Sequence, residues 1–225
     1  LGTHVIEDRA YLANHDTVVV GERRITAPRI LIATGGRPSL PPIPGLDDVD
    51  VQTNETLFDL KHQPAALGIV GGGPIGCEMA EAFARLGTSV TLFETATRLL
   101  PREEFEASSI VEAALRSLGV DVQTKASIQR VDGAIRLHSE FGSVEVEALL
   151  VATGRVPNTG GLALDQLGLK INDRGFIETD ARLETSIRGV YAAGDVTGKL
   201  PFTHAADEMG RVAASNALGK GYGGR

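Results

Sequence analysis

Three glycines, one acid and one cysteine raise the first chemical question. Gly71, Gly73 and Gly76 stand in the spacing G-x-G-x-x-G within IVGGGPIGCEMAEAF, residues 69 to 83. A helix starting at such a turn offers unpaired backbone N–H groups and a partial positive charge, which suits a phosphate. Glu94 lies 23 positions beyond Gly71 and can accept a pair of sugar hydroxyls. Cys77 is the only cysteine among 225 residues and follows Gly76 directly. It is either a thiol activated by the helix start or a small apolar residue packed under the turn. With no partner thiol in the chain it cannot be half of a dithiol couple, and packing is the plainer role.

The elements around these residues decide what the turn can do. ALGIV (66–70) reads as a strand, GGGPIG (71–76) as the turn and CEMAEAFARLG (77–87) as a helix stopped by Gly87. Met79, Phe83 and Leu86 recur on one side of that helix. SVTLFE (89–94) is a second strand, FEASSIVEAALRSLG (105–119) a second helix and VDVQT (120–124) a third strand. SIQRV, AIRLH and SVEVE are three short strand-like pieces, and LLVATG (149–154) closes the segment. Strands separated by helices imply a parallel α/β sheet. The glycine motif alone is weak evidence, and a structural glycine turn is the plain alternative. Here it follows a strand, opens a helix, and an acid ends the next strand, which is the context of dinucleotide binding. A carboxylate at Glu94 would accept both ribose hydroxyls of NAD and repel the 2′-phosphate of NADP; Arg98 nearby pulls the other way, so the reading is NAD in preference to NADP.

Flanking segments are less regular. Residues 4 to 33 read as extended, with TVVV (17–20) and RILIA (29–33) of strand length, and RPSLPPIPG (37–45) is a stiff connector. NETLFDL (54–60) reads as a short helix capped by Thr53 or Asn54. GFIE (175–178) and GVYAAGD (189–195) read as strands, THAADEMGRVAASNALG (203–219) as a helix stopped by Gly219, and KGYGGR as a loop-like tail. ATGGRPS (33–39) and ATGRVPN (152–158) nearly repeat each other, each after an apolar strand. This echo suggests two related nucleotide-binding folds whose chains cross at these points.

Composition narrows the class. The hydrophobic content of 42% is enough for one large or two small cores. A net charge of −7 gives a nucleic-acid partner no electrostatic support. No apolar run approaches the roughly 20 residues of a membrane helix. LGTHVIEDRA lacks the pattern of a signal peptide. The single cysteine suits a reducing compartment, the cytoplasm. The absence of an initiator Met leads us to expect an interior piece of a longer chain, though processing would also explain it. His4, His15, His62 and His138 form no metal-ligand spacing, so no metal site is expected.

Four motifs in order, ILIATGGRPSLPPIPG, IVGGGPIGCEMAEAFARLG, LLVATGRVPNT and GVYAAGDVTG, resemble the FAD-dependent pyridine nucleotide-disulfide oxidoreductases. FTHAADEMGRVAASNAL is similar to the flavin-side helix of the mercuric reductase and dihydrolipoamide dehydrogenase branch. The resemblance implies a Rossmann-like NAD(P)-binding domain at residues 46–155 inserted into a partial FAD-binding domain, residues 1–45 and 156–225. It implies hydride transfer from NAD(P)H to FAD and on to a disulfide or metal-ion acceptor. The family's first FAD turn, its redox disulfide and its C-terminal dimerisation domain with a His–Glu pair have no counterpart in this sequence. No catalytic residue is therefore assigned, and the chain alone is expected to be inactive, without bound flavin, its parent a homodimer through the missing domain.

The resemblance also implies binding residues. Gly71, Gly73, Pro74, Ile75 and Gly76 match the NAD pyrophosphate turn, Glu78 the acid beside the nicotinamide, and Glu94 the ribose acid. Val122 matches an adenine-flanking position and Gly154 a second close backbone approach. On the FAD side Thr34 and Gly35 match the first ATG contact, and Gly194 and Asp195 the ribityl or phosphate contact. His204 and Ala205 begin a helix facing the flavin pyrimidine edge. Two alternatives stay open: an NADH oxidase, peroxidase or quinone reductase of the same superfamily, or a nucleotide-binding module without catalysis.

Overall fold

The computed structural model describes residues 2–220. The loop-like reading of the tail falls mainly on residues 221–225, outside the described residues. The chain divides into two compact units, Leu1–Arg37 with Val156–Arg225, and Pro38–Arg155.

The first unit opens with an antiparallel meander of β1 (Ala10–Asn14), β2 (Thr17–Val20) and β3 (Arg23–Thr26). β4 (Ile30–Ile32) follows, and then β5 (Gly36–Pro38).

The second unit carries β6 (Val51–Gln52), β7 (Ala66–Val70), α1 (Pro74–Arg85), β8 (Ser89–Glu94), α2 (Phe105–Ser117) and β9 (Asp121–Thr124). β10 (Arg130–Asp132), β11 (Arg136–Ser139), β12 (Gly142–Glu145) and β13 (Ala148–Val151) complete it. β6, β13, β7, β8 and β9 lie in that order in one parallel sheet. Both faces of this sheet are covered at its centre, so β13 and β7 read as continuous apolar runs. Leu67, Ile69, Val90, Leu92, Ala148 and Leu150 pack with Cys77 and Ala80 of α1 and Leu115 of α2. Their neighbours Val70, Phe93, Leu149 and Val151 pack on the other side against Val131, Leu137 and Val146, from the antiparallel sheet β10–β12 and its flank. The alternation along each strand is the two-residue period of the pleat. Gly68 answers to this packing: a Cβ there would stand 2.6 Å from Leu137 Cδ1.

Beyond β14 (Arg155–Pro157), the first unit resumes with β15 (Val190–Ala192), parallel to β4, and α3 (Thr203–Ala217). Val190 and Ala192 pack with Leu12, Ile32 and Ile177, whereas Tyr191 and Ala193 pack with Ala213 and Met209 of α3.

The α/β class and the parallel sheet agree with the sequence reading; several local readings do not. α1 starts at Pro74 rather than Cys77, with Gly73 as its N-cap, because proline fits the first helical position. NETLFDL makes only a 3-10 turn at Leu57–Asp59, where Thr53 Oγ1 accepts the Glu55 N–H and turns the chain before a helix can propagate. GFIE contributes one bridge, Ile171 to Ile177, and no strand. Leu86 is 65% exposed; Met79 and Phe83 pack on the core without it.

Candidate functional site

The glycine turn joins the C-terminal end of β7 to α1. Gly71 has φ +114°, and a Cβ on it would lie 2.5 Å from the Ala152 carbonyl oxygen at the end of β13. A Cβ on Gly76 would collide with the Gly71 carbonyl oxygen, so this glycine sets the close approach of α1 to the turn. Gly72 is confined too, with Leu99 Cδ2 at 2.6 Å from its Cβ position. Gly73 differs. Its φ of −77° and ψ of −173° suit any residue, and nothing stands within 4 Å of its Cβ position. The fold requires glycine at Gly71, Gly72 and Gly76. At Gly73 it leaves open space beside the first turn of α1, which a side chain would enter.

The Gly72 peptide is held from both sides. Its N–H donates to Glu94 Oε2 at 2.7 Å, and its carbonyl accepts the Leu100 N–H at 2.8 Å and the Cys77 thiol at 3.5 Å. Glu94 Oε1 accepts the Ala96 N–H at 2.7 Å and the Thr95 hydroxyl at 3.2 Å. Glu94 is thus half-buried at the strand end, tying the turn to the loop after β8. Leu100 takes a left-handed φ of +47° to make its bond, an uncommon conformation for a branched residue. The sequence reading missed both the Glu94–Gly72 bond and this loop contact.

Cys77 is 6% exposed, and burial, aided by the nearby Glu94 and Glu78 carboxylates, pushes its thiol up to about 12. It is protonated at neutral pH and packs as a small apolar side chain. Pro74 and Glu78 are exposed on α1 and Ile75 is half-buried. Gly154 has φ +149°, with open space at its Cβ position. Val122 is a correction. It is 4% exposed and packs with Leu92 and Leu115 on the helix-covered face, so its side chain supports the sheet and lines no surface. Arg98, which weighed towards NADP, donates from Nη2 to the carbonyls of Pro101 at 3.1 Å and Glu103 at 2.9 Å. That guanidinium braces its own loop.

In the other unit, Gly35, Gly194 and Asp195 line a cavity of about 200 Å³ with Ala33, Ala206 and Gly210. Gly35 and Gly194 have φ of +68° and +78°. The Thr34 hydroxyl is spent on the Asn158 carbonyl at 2.8 Å. His204 is exposed at the start of α3 and stacks on Phe202 with ring centroids 5.6 Å apart; Ala205 beside it is half-buried.

Residues 1–210 match the family model of the pyridine nucleotide-disulphide oxidoreductases. The chain is 37% identical to the probable pyridine nucleotide-disulfide oxidoreductase RclA of Escherichia coli K12, over 96% of this chain and 51% of that protein. It is 40% identical to a mercuric reductase of Bacillus cereus, over 97% of this chain and 36% of that protein. Among solved structures, the HOCl-induced flavoprotein disulfide reductase RclA from E. coli superposes with a TM-score of 0.90 at 37% identity, covering 97% of this chain and 51% of that one. LpdA from Mycobacterium tuberculosis superposes with a TM-score of 0.89 at 30% identity, covering all of this chain and 52% of that one. The chain therefore spans about a third to a half of the length of these relatives.

Proposed function

The chain belongs to the pyridine nucleotide-disulphide oxidoreductase family, and on that premise we propose that Pro38–Arg155 binds a nicotinamide coenzyme, NAD(H) in preference to NADP(H). The open space at Gly73, beside the first turn of α1, carries this reading, because no contact within the protein calls for a glycine there. When bound, the coenzyme would supply a hydride for FAD, with a disulfide or metal ion as the eventual acceptor. The residues of this chain bind and orient. Gly71 and Gly76 bring strand and helix together, and Gly73 admits the pyrophosphate to the first turn of α1. Pro74 starts that helix without wasting an amide, and Ile75 seats it. Glu94 has lone pairs left after its two amide bonds and takes the ribose hydroxyls. Glu78 orients the nicotinamide, and Gly154 lets the backbone at the end of β13 come close.

Leu1–Arg37 with Val156–Arg225 would hold part of FAD. Asp195 faces the cavity where ribityl hydroxyls or phosphate would sit, and Gly35 and Gly194 keep its walls thin. Thr34 shapes the loop that presents Gly35. The N–H groups at His204 and Ala205 would favour negative charge on the flavin. The one cysteine is buried and protonated, so dithiol chemistry belongs to no residue of this chain. The enzyme would be a cytoplasmic homodimer.

Calorimetric titration of Gly73→Ala with NADH tests the carrying observation. We expect binding weakened about tenfold, close to 1.4 kcal/mol, with thermal stability unchanged. Wild-type affinity in the variant, or no NADH binding by the wild type, overturns the reading.

A further inference from the structure

We propose that Lys125 is a specificity-determining residue of the adenosine ribose site, supplying the cation that meets a 2′-phosphate opposite Glu94. The inference deepens the proposed coenzyme site and rests on that reading.

The placement follows from the register of the parallel sheet. Glu94, the last residue of β8, is paired with Thr124, the last residue of β9. Lys125 comes next, so it leaves the sheet at the same C-terminal edge as the glycine turn. Ligands of open α/β sheets bind at that edge. Two backbone bonds fix it there: the Lys125 N–H donates to the Ala96 carbonyl at 2.8 Å, and the Ala126 N–H to the Glu94 carbonyl at 2.9 Å. The Ala96 N–H in turn bonds the Glu94 carboxylate at 2.7 Å. Lys125 is thereby anchored one residue contact away from the carboxylate that would read the ribose.

Its conformation and charge point the same way. Lys125 holds a left-handed φ of +55°, a conformation that a non-glycine residue keeps only where its surroundings enforce it. Its side chain is exposed and makes no hydrogen bond or ion pair with any described residue. A lysine head on a flexible four-carbon stem is free to follow a phosphate. Arg98, a cation of the loop after β8, is held through Nη2 by the carbonyls of Pro101 and Glu103. The two ribose-site charges therefore act in opposition: Glu94 favours the free hydroxyls of NADH, and Lys125 limits how strongly NADPH is rejected.

The test titrates the full 225-residue chain with NADH and with NADPH, as wild type, Lys125→Gln and Lys125→Glu. Lys125→Gln should weaken NADPH binding about fivefold, as expected for one charge-assisted contact to phosphate, and leave NADH within about twofold. Lys125→Glu should weaken NADPH further and flatten its salt dependence. NADH affinity is the internal control for folding. NADPH binding that matches wild type in both variants, or falls in step with NADH, overturns the role of Lys125 and leaves the coenzyme site standing. A wild-type chain that binds neither coenzyme overturns both.

Discussion

Thr34 and Asn158 hold each other by reciprocal hydrogen bonds: the Thr34 hydroxyl donates to the Asn158 carbonyl at 2.8 Å, and Asn158 Nδ2 donates to the Thr34 carbonyl at 3.0 Å. The Asn158 N–H also donates to the Gly35 carbonyl at 3.0 Å. The same pattern recurs in the other unit. There the Thr153 hydroxyl donates to the Ser39 carbonyl at 2.9 Å, and the Ser39 N–H to the Gly154 carbonyl at 3.0 Å. Thr34 precedes Ser39 by five residues, as Thr153 precedes Asn158. The echo of ATGGRPS and ATGRVPN is therefore an echo of geometry: each threonine bonds a residue of the other motif.

Thr34→Val should cost about 1 kcal/mol of stability, the net worth of one hydrogen bond between groups that water can also reach. Urea unfolding measures it. Thr153→Val removes the corresponding bond and should cost a similar amount. A Thr34→Val protein as stable as wild type would show that backbone bonds alone hold the crossing.

Cys77 should resist alkylation. Burial and two nearby carboxylates raise its pKa to about 12, so the thiolate is scarce at pH 7 and the sulfur is covered. Iodoacetamide should label it only as fast as the protein unfolds, and urea should accelerate labelling in step with the unfolding transition. Rapid stoichiometric labelling of the native protein at neutral pH would contradict the packing role.

How much of this was legible in the sequence depends on the range of the interaction. β7 and β13 show in the sequence because a strand covered on both faces is apolar throughout. The turn shows because Gly71, Gly73 and Gly76 have a fixed spacing, and Glu94 because it ends the following strand. The start of α1 was misplaced because glycine and proline read as breakers, although proline at the first helical position loses no bond. The resemblance sets Val122 beside the adenine but carries no information on which face of β9 its side chain takes. The Glu94–Gly72 bond and the position of Lys125 beside Ala96 join residues far apart in the chain, and only the sheet register brings them together.

The surface carboxyl of Asp132 should titrate below the ordinary aspartate range, with His138 as the main cause. Their side chains bond at 2.7 Å, and that bond, helped by Arg130, holds the Asp132 carboxyl below its ordinary value. A carboxyl depressed in the folded state contributes stability above its unfolded pKa and loses that contribution as pH falls through its folded pKa. His138→Ala should move the Asp132 NMR titration back up towards the ordinary aspartate range. The stability gap between wild type and variant should close as the acid range is entered. An Asp132 midpoint unmoved by His138→Ala would assign the depression to Arg130.

Glu94 ties the turn and, on the proposed reading, would also meet the ribose; two variants separate these duties. Its carboxylate accepts the N–H groups of Gly72 and Ala96, both at 2.7 Å, so it positions the turn before any ligand arrives. Glu94→Gln keeps one acceptor oxygen and faces the other amide with a donor, which should cost roughly 1–3 kcal/mol in urea unfolding. It also removes the charge that would repel a 2′-phosphate, so NADPH should gain on NADH. Glu94→Arg should carry that shift further, because a guanidinium binds phosphate in a fork that the carboxylate repels. It loses both amide bonds as well and should be the less stable of the two. Titration of each variant with both coenzymes reads the ratio of affinities, which is insensitive to a uniform loss of folded protein. A ratio unchanged in both variants would remove Glu94 from the ribose site. Unfolding curves that match wild type would remove it from the turn.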